Sequence, residues 1–169
     1  MLDLSIINLS SDPLVILRRA RLSDLEYIKE ISHAEMDEVV PQYWNWESWF
    51  SDISKYLIGN HHKIFIIEVQ KASGGYLWVN EEFNALWITA IVLQNNYQRK
   101  SIGSKIMNYL IEETHKEGKE FIELGVQHNN KNAQNFYSKL GFEQFDHIQT
   151  ANTDLFRLNL SKLRKNRDI

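Results

Sequence analysis

The stretch from Ala85 to Gly118, ALWITAIVLQNNYQRKSIGSKIMNYLIEETHKEG, constrains this chain more than any other. An apolar run, Ala85–Leu93, gives way to a polar turn at Gln94–Lys100, and a long amphipathic segment follows. Ile102, Ile106, Tyr109 and Leu110 recur at the spacing of a helix with one apolar face. The order is therefore strand, loop, helix. A helix start leaves backbone N–H groups without intrahelical acceptors at the positive end of the dipole, so the loop Gln98-Arg99-Lys100-Ser101-Ile102-Gly103 suits an anion. A single glycine and a basic pair also occur in such turns where nothing binds, so this loop needs a second motif beside it.

The rest of the chain bounds the choices. Its 169 residues suit one domain, 1–169, with 43 % apolar and 24 % charged residues. A net charge of −3 argues against nucleic acid as a partner. Two basic clusters, Arg18–Arg21 and Lys162–Arg167, read as a solvated strand end and a solvated tail. Without cysteine there is no disulfide, no thiolate metal site and no Cys nucleophile, and no metal is expected. The N-terminal segment lacks a basic start before its apolar positions, and no apolar run reaches the ~20 residues that cross a bilayer. The expectation is a cytoplasmic protein without membrane attachment.

In order, Leu14–Leu17 reads as a first strand, and Ser23-Asp24 with Glu26 as the capping box of a first helix. Glu35 to Phe50, EMDEVVPQYWNWESWF, holds three of the five tryptophans interleaved with acids. Trp46, Trp49, Phe50 and Ile53 recur at helical spacing, which suits a core face. The same residues with Glu35, Glu38 and Trp44 would also suit the wall of a cleft for an amine, through ion pairing and cation–π contact. Lys63–Val69 and Tyr76–Val79 form a hairpin whose turn is expected at Gly74-Gly75. Phe121–Val126 is a strand, Lys131–Leu140 a helix ended by Gly141, and two closing strands follow. The order β-α-α-β-β-β-α-β-α-β-β implies an α/β (α+β) fold. Its mixed, mostly antiparallel sheet has about six to seven strands, with a local parallel section.

The second motif is Asn130, Ala133, Tyr137, Gly141 and Phe142, standing as N-x-x-A-x-x-x-Y-x-x-x-G-F about thirty residues after the first loop. Here the chain resembles the GNAT superfamily of acyl-CoA-dependent N-acetyltransferases. QRKSIG is similar to that family's pyrophosphate pattern, [Q/R]-x-x-G-x-[G/A], and VQHNNKNAQNFYSKLGF to its later CoA-contacting strand and helix. The resemblance covers Tyr76 to Leu160, and the N-terminal third only through its order of elements. It implies a sheet flanked by about four helices, acetyl-CoA as co-substrate and a homodimer. It also implies roles for residues. Gln98, Arg99, Lys100, Ser101, Ile102, Gly103 and Ser104 would hold the pyrophosphate. Ile91, Val92 and Leu93 would pair with the pantetheine arm, and Asn130 would contact CoA or cap its helix. Ser101 stands where the family prefers glycine, and it fits if its φ stays negative.

Tyr137 matches the family's usual general acid; otherwise it is a core tyrosine. The implied reaction is direct attack of a neutral amine on a thioester, with an oxyanion donor near Val92 or Leu93 and a proton for the leaving thiolate. The carboxylates that serve some relatives as a base are absent, because those positions hold Gly125 and the Trp87-x-Thr89-x-Ile91 strand. Glu35, Glu38, Glu68, Glu123, His33 or a water wire remain. The acceptor would be a small-molecule amine or a protein or peptide amine. A module that binds or senses acyl-CoA without catalysis stays open, whereas a dinucleotide fold is disfavoured because no G-x-G-x-x-G occurs.

Overall fold

Short apolar runs separated by tight turns fold the first half of the chain into antiparallel hairpins. The computed structural model describes residues 6–11, 13–59 and 62–164. Its strands are β1 (Ile6–Ser11), β2 (Leu14–Arg19), β3 (His62–Val69), β4 (Ala72–Glu81), β5 (Ala85–Leu93), β6 (Phe121–Gln127), β7 (Glu143–Ile148) and β8 (Thr153–Asn159). The helices are α1 (Leu25–Met36), α2 (Trp46–Ile58), α3 (Ile102–Lys116) and α4 (Lys131–Lys139), followed by a last helical turn at Ser161–Arg164. All eight strands join one sheet in the order β1-β2-β3-β4-β5-β6-β8-β7. Every pairing is antiparallel except β5 with β6. The strand beyond the expected six to seven is β1, which lies before the apolar signal at Leu14. The tail cluster after Arg164 lies outside the described residues. None of the described helices is long and apolar enough to cross a membrane.

The centre of KIFIIEV, Ile64-Phe65-Ile66-Ile67, is an unbroken apolar run because both faces of β3 are covered. Phe65 and Ile67 join the core that contains Ile102, Ile106 and Leu110 of α3, while Ile64 and Ile66 join that of Ile28, Ile31 and Ile53 from α1 and α2. Each such side chain contributes about 1.5–3 kcal/mol by leaving water.

Three local expectations need correction. The β3–β4 turn is Gln70-Lys71, with φ of 51° and 70°, the left-handed pair of a two-residue connection. Gly74 and Gly75 lie inside β4 instead. A Cβ on Gly75 would stand 2.1 Å from the Val92 carbonyl oxygen, so glycine is there for close approach of β4 to β5. Ser23 caps nothing, since α1 follows a 3-10 turn in which the Asp24 carboxylate accepts the Arg21 N–H at 2.7 Å. Arg18 is no solvated strand end: it bridges Asp24 at 2.8 Å and Glu68 at 2.7 Å.

The decisive irregularity is in β5. Its parallel ladder with β6 runs only from Ala85–Phe121 to Ile88–Leu124. Val79 pairs with Ile88 and Trp78 with Ala90, so Thr89 is an extra residue, a bulge that bends the strand. Beyond it β5 stays with β4 while β6 stays with β8, and a gap opens at the C-terminal ends of the two parallel strands.

Candidate functional site

The loop beyond β5 is shaped by two left-handed residues, Arg99 at φ 56° and Ser101 at φ 61°. Ser101 is the N-cap of α3, and its carbonyl accepts the first intrahelical bond, from Lys105 N–H at 3.0 Å. The N–H groups of Ile102, Gly103 and Ser104 therefore have no intrahelical acceptor, and no side chain caps them. The expectation of a negative φ at Ser101 is overturned. Cβ crowding makes that conformation cost a non-glycine residue about 1–2 kcal/mol, which is why glycine suits the position better. Left-handed residues next to a helix start turn successive N–H groups to one side, a concavity for an anion.

Along β5 the ladder decides which backbone groups are free. Gln94 N–H donates to the Gly74 carbonyl at 3.0 Å. With Leu93 opposite Gly75 and Ile91 opposite Leu77, the antiparallel alternation turns Val92 to β4 and the backbone groups of Ile91 and Leu93 to the gap. Val92 thus turns its backbone N–H and carbonyl away from the gap. The Leu93 carbonyl also accepts from Gln98 Nε2 at 2.8 Å.

Helix α4 supplies the opposite wall. Asn130 is its N-cap, with Oδ1 accepting the Ala133 N–H at 3.1 Å. Tyr137 is 6 % exposed, and its ring lies edge-on to Phe136 and Phe142 at 5.1 and 5.6 Å. Its hydroxyl makes no hydrogen bond among the described residues, and burial alone pushes the phenol well above its ordinary pKa. α4 is tied to the sheet through Gln134 Nε2, which donates to Asp154 at 2.9 Å. The buried Asp154 carboxylate also accepts from His128 at 2.9 Å, His147 at 2.7 Å and Gln144 at 3.0 Å. These two histidines and Asp154 form the one group of potential metal ligands among the described residues. With four donors on it, the carboxylate has its lone pairs occupied.

The gap forms two connected lobes of ≈ 420 and ≈ 470 Å³ that share Ile91, Leu93, Gln98, Asn130, Ala133 and Tyr137. Arg99, Ser101, Gly103 and Ser104 line the loop lobe. Glu35, Met36, Val39, Val40, Trp44, Trp49, Trp87 and Thr89 line the other. The side chains of exposed Lys100, buried Ile102 and exposed Glu38 lie outside both. The Glu35 carboxylate is occupied by the Asn95 N–H at 2.8 Å and Gln98 Nε2 at 2.9 Å, so it ties α1 to the loop. Of the other acids weighed as a base, Glu68 pairs with Arg18 and Glu123 with Arg157, at 2.7 and 2.6 Å, outside the cleft. His33 faces Asp37 at 3.1 Å and also lies outside it. The sequence did not single out Met36 or Trp87 as cleft residues. Both are apolar positions that read as core, and only the β5–β6 gap exposes them.

Comparisons with known proteins agree with this geometry. The acetyltransferase (GNAT) family matches residues 25–142. The PaiA N-acetyltransferase of Thermoplasma acidophilum, solved in complex with coenzyme A, superposes with a TM-score of 0.71 at 16 % identity, over 86 % of this chain and 98 % of that one. The spermidine/spermine N-acetyltransferase SpeG of Vibrio cholerae, in mutant forms, gives a TM-score of 0.67 at 19 % identity, over 90 % and 98 %. Among curated proteins, an uncharacterized N-acetyltransferase of Methanocaldococcus jannaschii is 26 % identical over 76 % of this chain. One from Lactobacillus delbrueckii subsp. lactis is 29 % identical over 53 %. The chain spans 60 % and 57 % of these two relatives' lengths, respectively. With the family matched across more than half of its length, the chain belongs to the acetyltransferase (GNAT) family.

Proposed function

We propose that the chain transfers an acetyl group from acetyl-CoA to a primary amine. The observation that carries this is the meeting of the two lobes at Tyr137, beside backbone groups of Ile91 and Leu93 that face the gap. The residues present fit the co-substrate. Uncapped N–H groups at Ile102, Gly103 and Ser104 suit a pyrophosphate, with Gln98, Arg99, Lys100 and Ser101 around it, and the β5 edge suits an extended amide chain. Asn130 caps α4 and stands in both lobes, where its amide would also reach the arm.

In the reaction a neutral amine attacks the thioester carbon, the N–C bond forms, the C–S bond breaks, and the departing thiolate takes up a proton. Leu93 N–H is the better oxyanion donor, because the Val92 N–H belongs to the β4 ladder. Tyr137 is the general acid. Its raised pKa keeps it protonated throughout neutral pH, and the thiolate forms in the same desolvated space, which raises the affinity of sulfur for the proton too. No unpaired carboxylate lines the cleft among the described residues, so the amine must arrive neutral or lose its proton to water. That same shortage favours a second reading, a module that holds acyl-CoA without catalysis. Incubation with acetyl-CoA and a panel of amines, following free thiol, tests the two. Acceptor-dependent thiol release is expected; tight CoA binding without release across the panel would overturn the transferase.

A further inference from the structure

The lobe away from the loop narrows the class of amine, an inference that rests on the acetyl-transfer reading above. Its titratable lining residues are Glu35 and Tyr137 alone, among the described residues. Tyr137 is the neutral acid, and Glu35 holds the Asn95 N–H and the Gln98 amide. The facing wall is Met36, Val39, Val40, Trp44, Trp49 and Trp87. It is a packed wall. Trp44 and Trp49 tilt together at 5.4 Å, and Trp78 meets Trp49 at 5.0 Å and Tyr56 at 5.2 Å.

Such a lobe discriminates by charge count. Amines with a pKa of ~10 are cationic at neutral pH, so a polyamine arrives with several charges. Each ammonium taken from water without a carboxylate partner is strongly opposed, and this lobe offers one carboxylate, already doubly bonded. An apolar or aromatic body, by contrast, gains from every part of the wall that it covers. Desolvation there also lowers the ammonium pKa, which favours the neutral nucleophile where no base stands. The shared fold does not decide the acceptor, since the spermidine/spermine enzyme superposes at only 19 % identity.

We infer that the acceptor is a monoamine carried on a large apolar or aromatic body, seated against Trp44, Trp49 and Trp87. On transfer the nitrogen gains the acetyl group and gives one proton to solvent, while the thiolate takes the proton of Tyr137, which solvent then restores.

Phenethylamine and spermidine serve as probes, with thiol release and tryptophan fluorescence as separate readouts. Phenethylamine is expected to exceed spermidine in kcat/KM by about tenfold or more, the discrimination an apolar pocket supplies. Trp44→Ala should raise the KM for phenethylamine roughly tenfold with little change in kcat or in CoA affinity, whereas Trp44→Phe should keep the KM near wild type. Equal or better use of spermidine, or a Trp44→Ala protein with unchanged KM, overturns the inference. Saturable fluorescence quenching by phenethylamine without thiol release would sink acetyl transfer yet keep the apolar-amine site. Neither quenching nor release would overturn both.

Discussion

The loop lobe and the tryptophan lobe meet at Tyr137 but are built from different materials. The loop lobe presents backbone: N–H groups at the start of α3 and the free edge of β5. The tryptophan lobe presents side chains brought from α1, from the segment before and within α2, and from β5. Backbone recognition suits a ligand that never varies, because φ and ψ fix it and few side chains matter. A wall of side chains can change with little effect on the fold, which suits it to the acceptor choice proposed above.

Tyr137→Phe would test the junction and should have the largest effect, lowering kcat by about 100-fold or more while the CoA Kd hardly moves. Unchanged turnover would remove the acid from Tyr137 and leave the two lobes without a shared catalytic group. Gly75→Ala tests the rigid half. Its Cβ would meet the Val92 carbonyl at 2.1 Å, so a loss of about 2 kcal/mol in denaturant unfolding is expected from overpacking, together with weaker CoA binding. A protein of normal stability would mean that the β4–β5 approach is soft.

Asp154→Asn probes the anchor of α4, which supports both lobes. Hydrogen bonds to a charged acceptor are lost in part, so about 1–3 kcal/mol of stability should go. The pH dependence has a definite sign. Burial opposes ionisation of Asp154, but its bonds from His147 and His128 prevail and hold the carboxyl below its usual range. Its contribution is therefore present above the unfolded value of ~3.9 and is lost as pH falls through the folded value. Thermal melts of wild type and variant should converge at low pH; parallel curves would assign the acid sensitivity elsewhere. Asn130→Ala should cost about 1 kcal/mol through the lost cap, and should weaken CoA more than it raises an amine KM. An effect on the amine alone would move Asn130 to the other lobe. Ser101→Gly should have the smallest effect, a gain of roughly 0.5 kcal/mol once glycine's greater unfolded freedom is set against relief of the left-handed strain. A destabilised Ser101→Gly protein would mean that the serine hydroxyl holds the loop.

Much of the loop lobe is legible in the sequence. The bounds of β5, the α3 stripe and the Asn130–Tyr137 spacing all survive, because each depends on neighbours within a few residues. The misreadings share a cause. Gly74-Gly75 looks like a turn, yet Gly75 answers to Val92 and Leu93 of β5, almost twenty residues away. Ser101 is expected at negative φ, and nothing within QRKSIG shows that the chain must reverse there. Glu35 and Glu38 look equivalent along the chain. One ties α1 to the loop sixty residues on, and the other faces solvent.

The sequence by itself determined most of the elements, their order and the start of α3 after a polar loop, since hydrophobic period and backbone geometry act over short range. Only the tertiary structure decided where β5 leaves β6, which carboxylates are already paired, and which tryptophans face the cleft rather than the core. Those outcomes depend on contacts between distant residues, and no local pattern specifies such contacts.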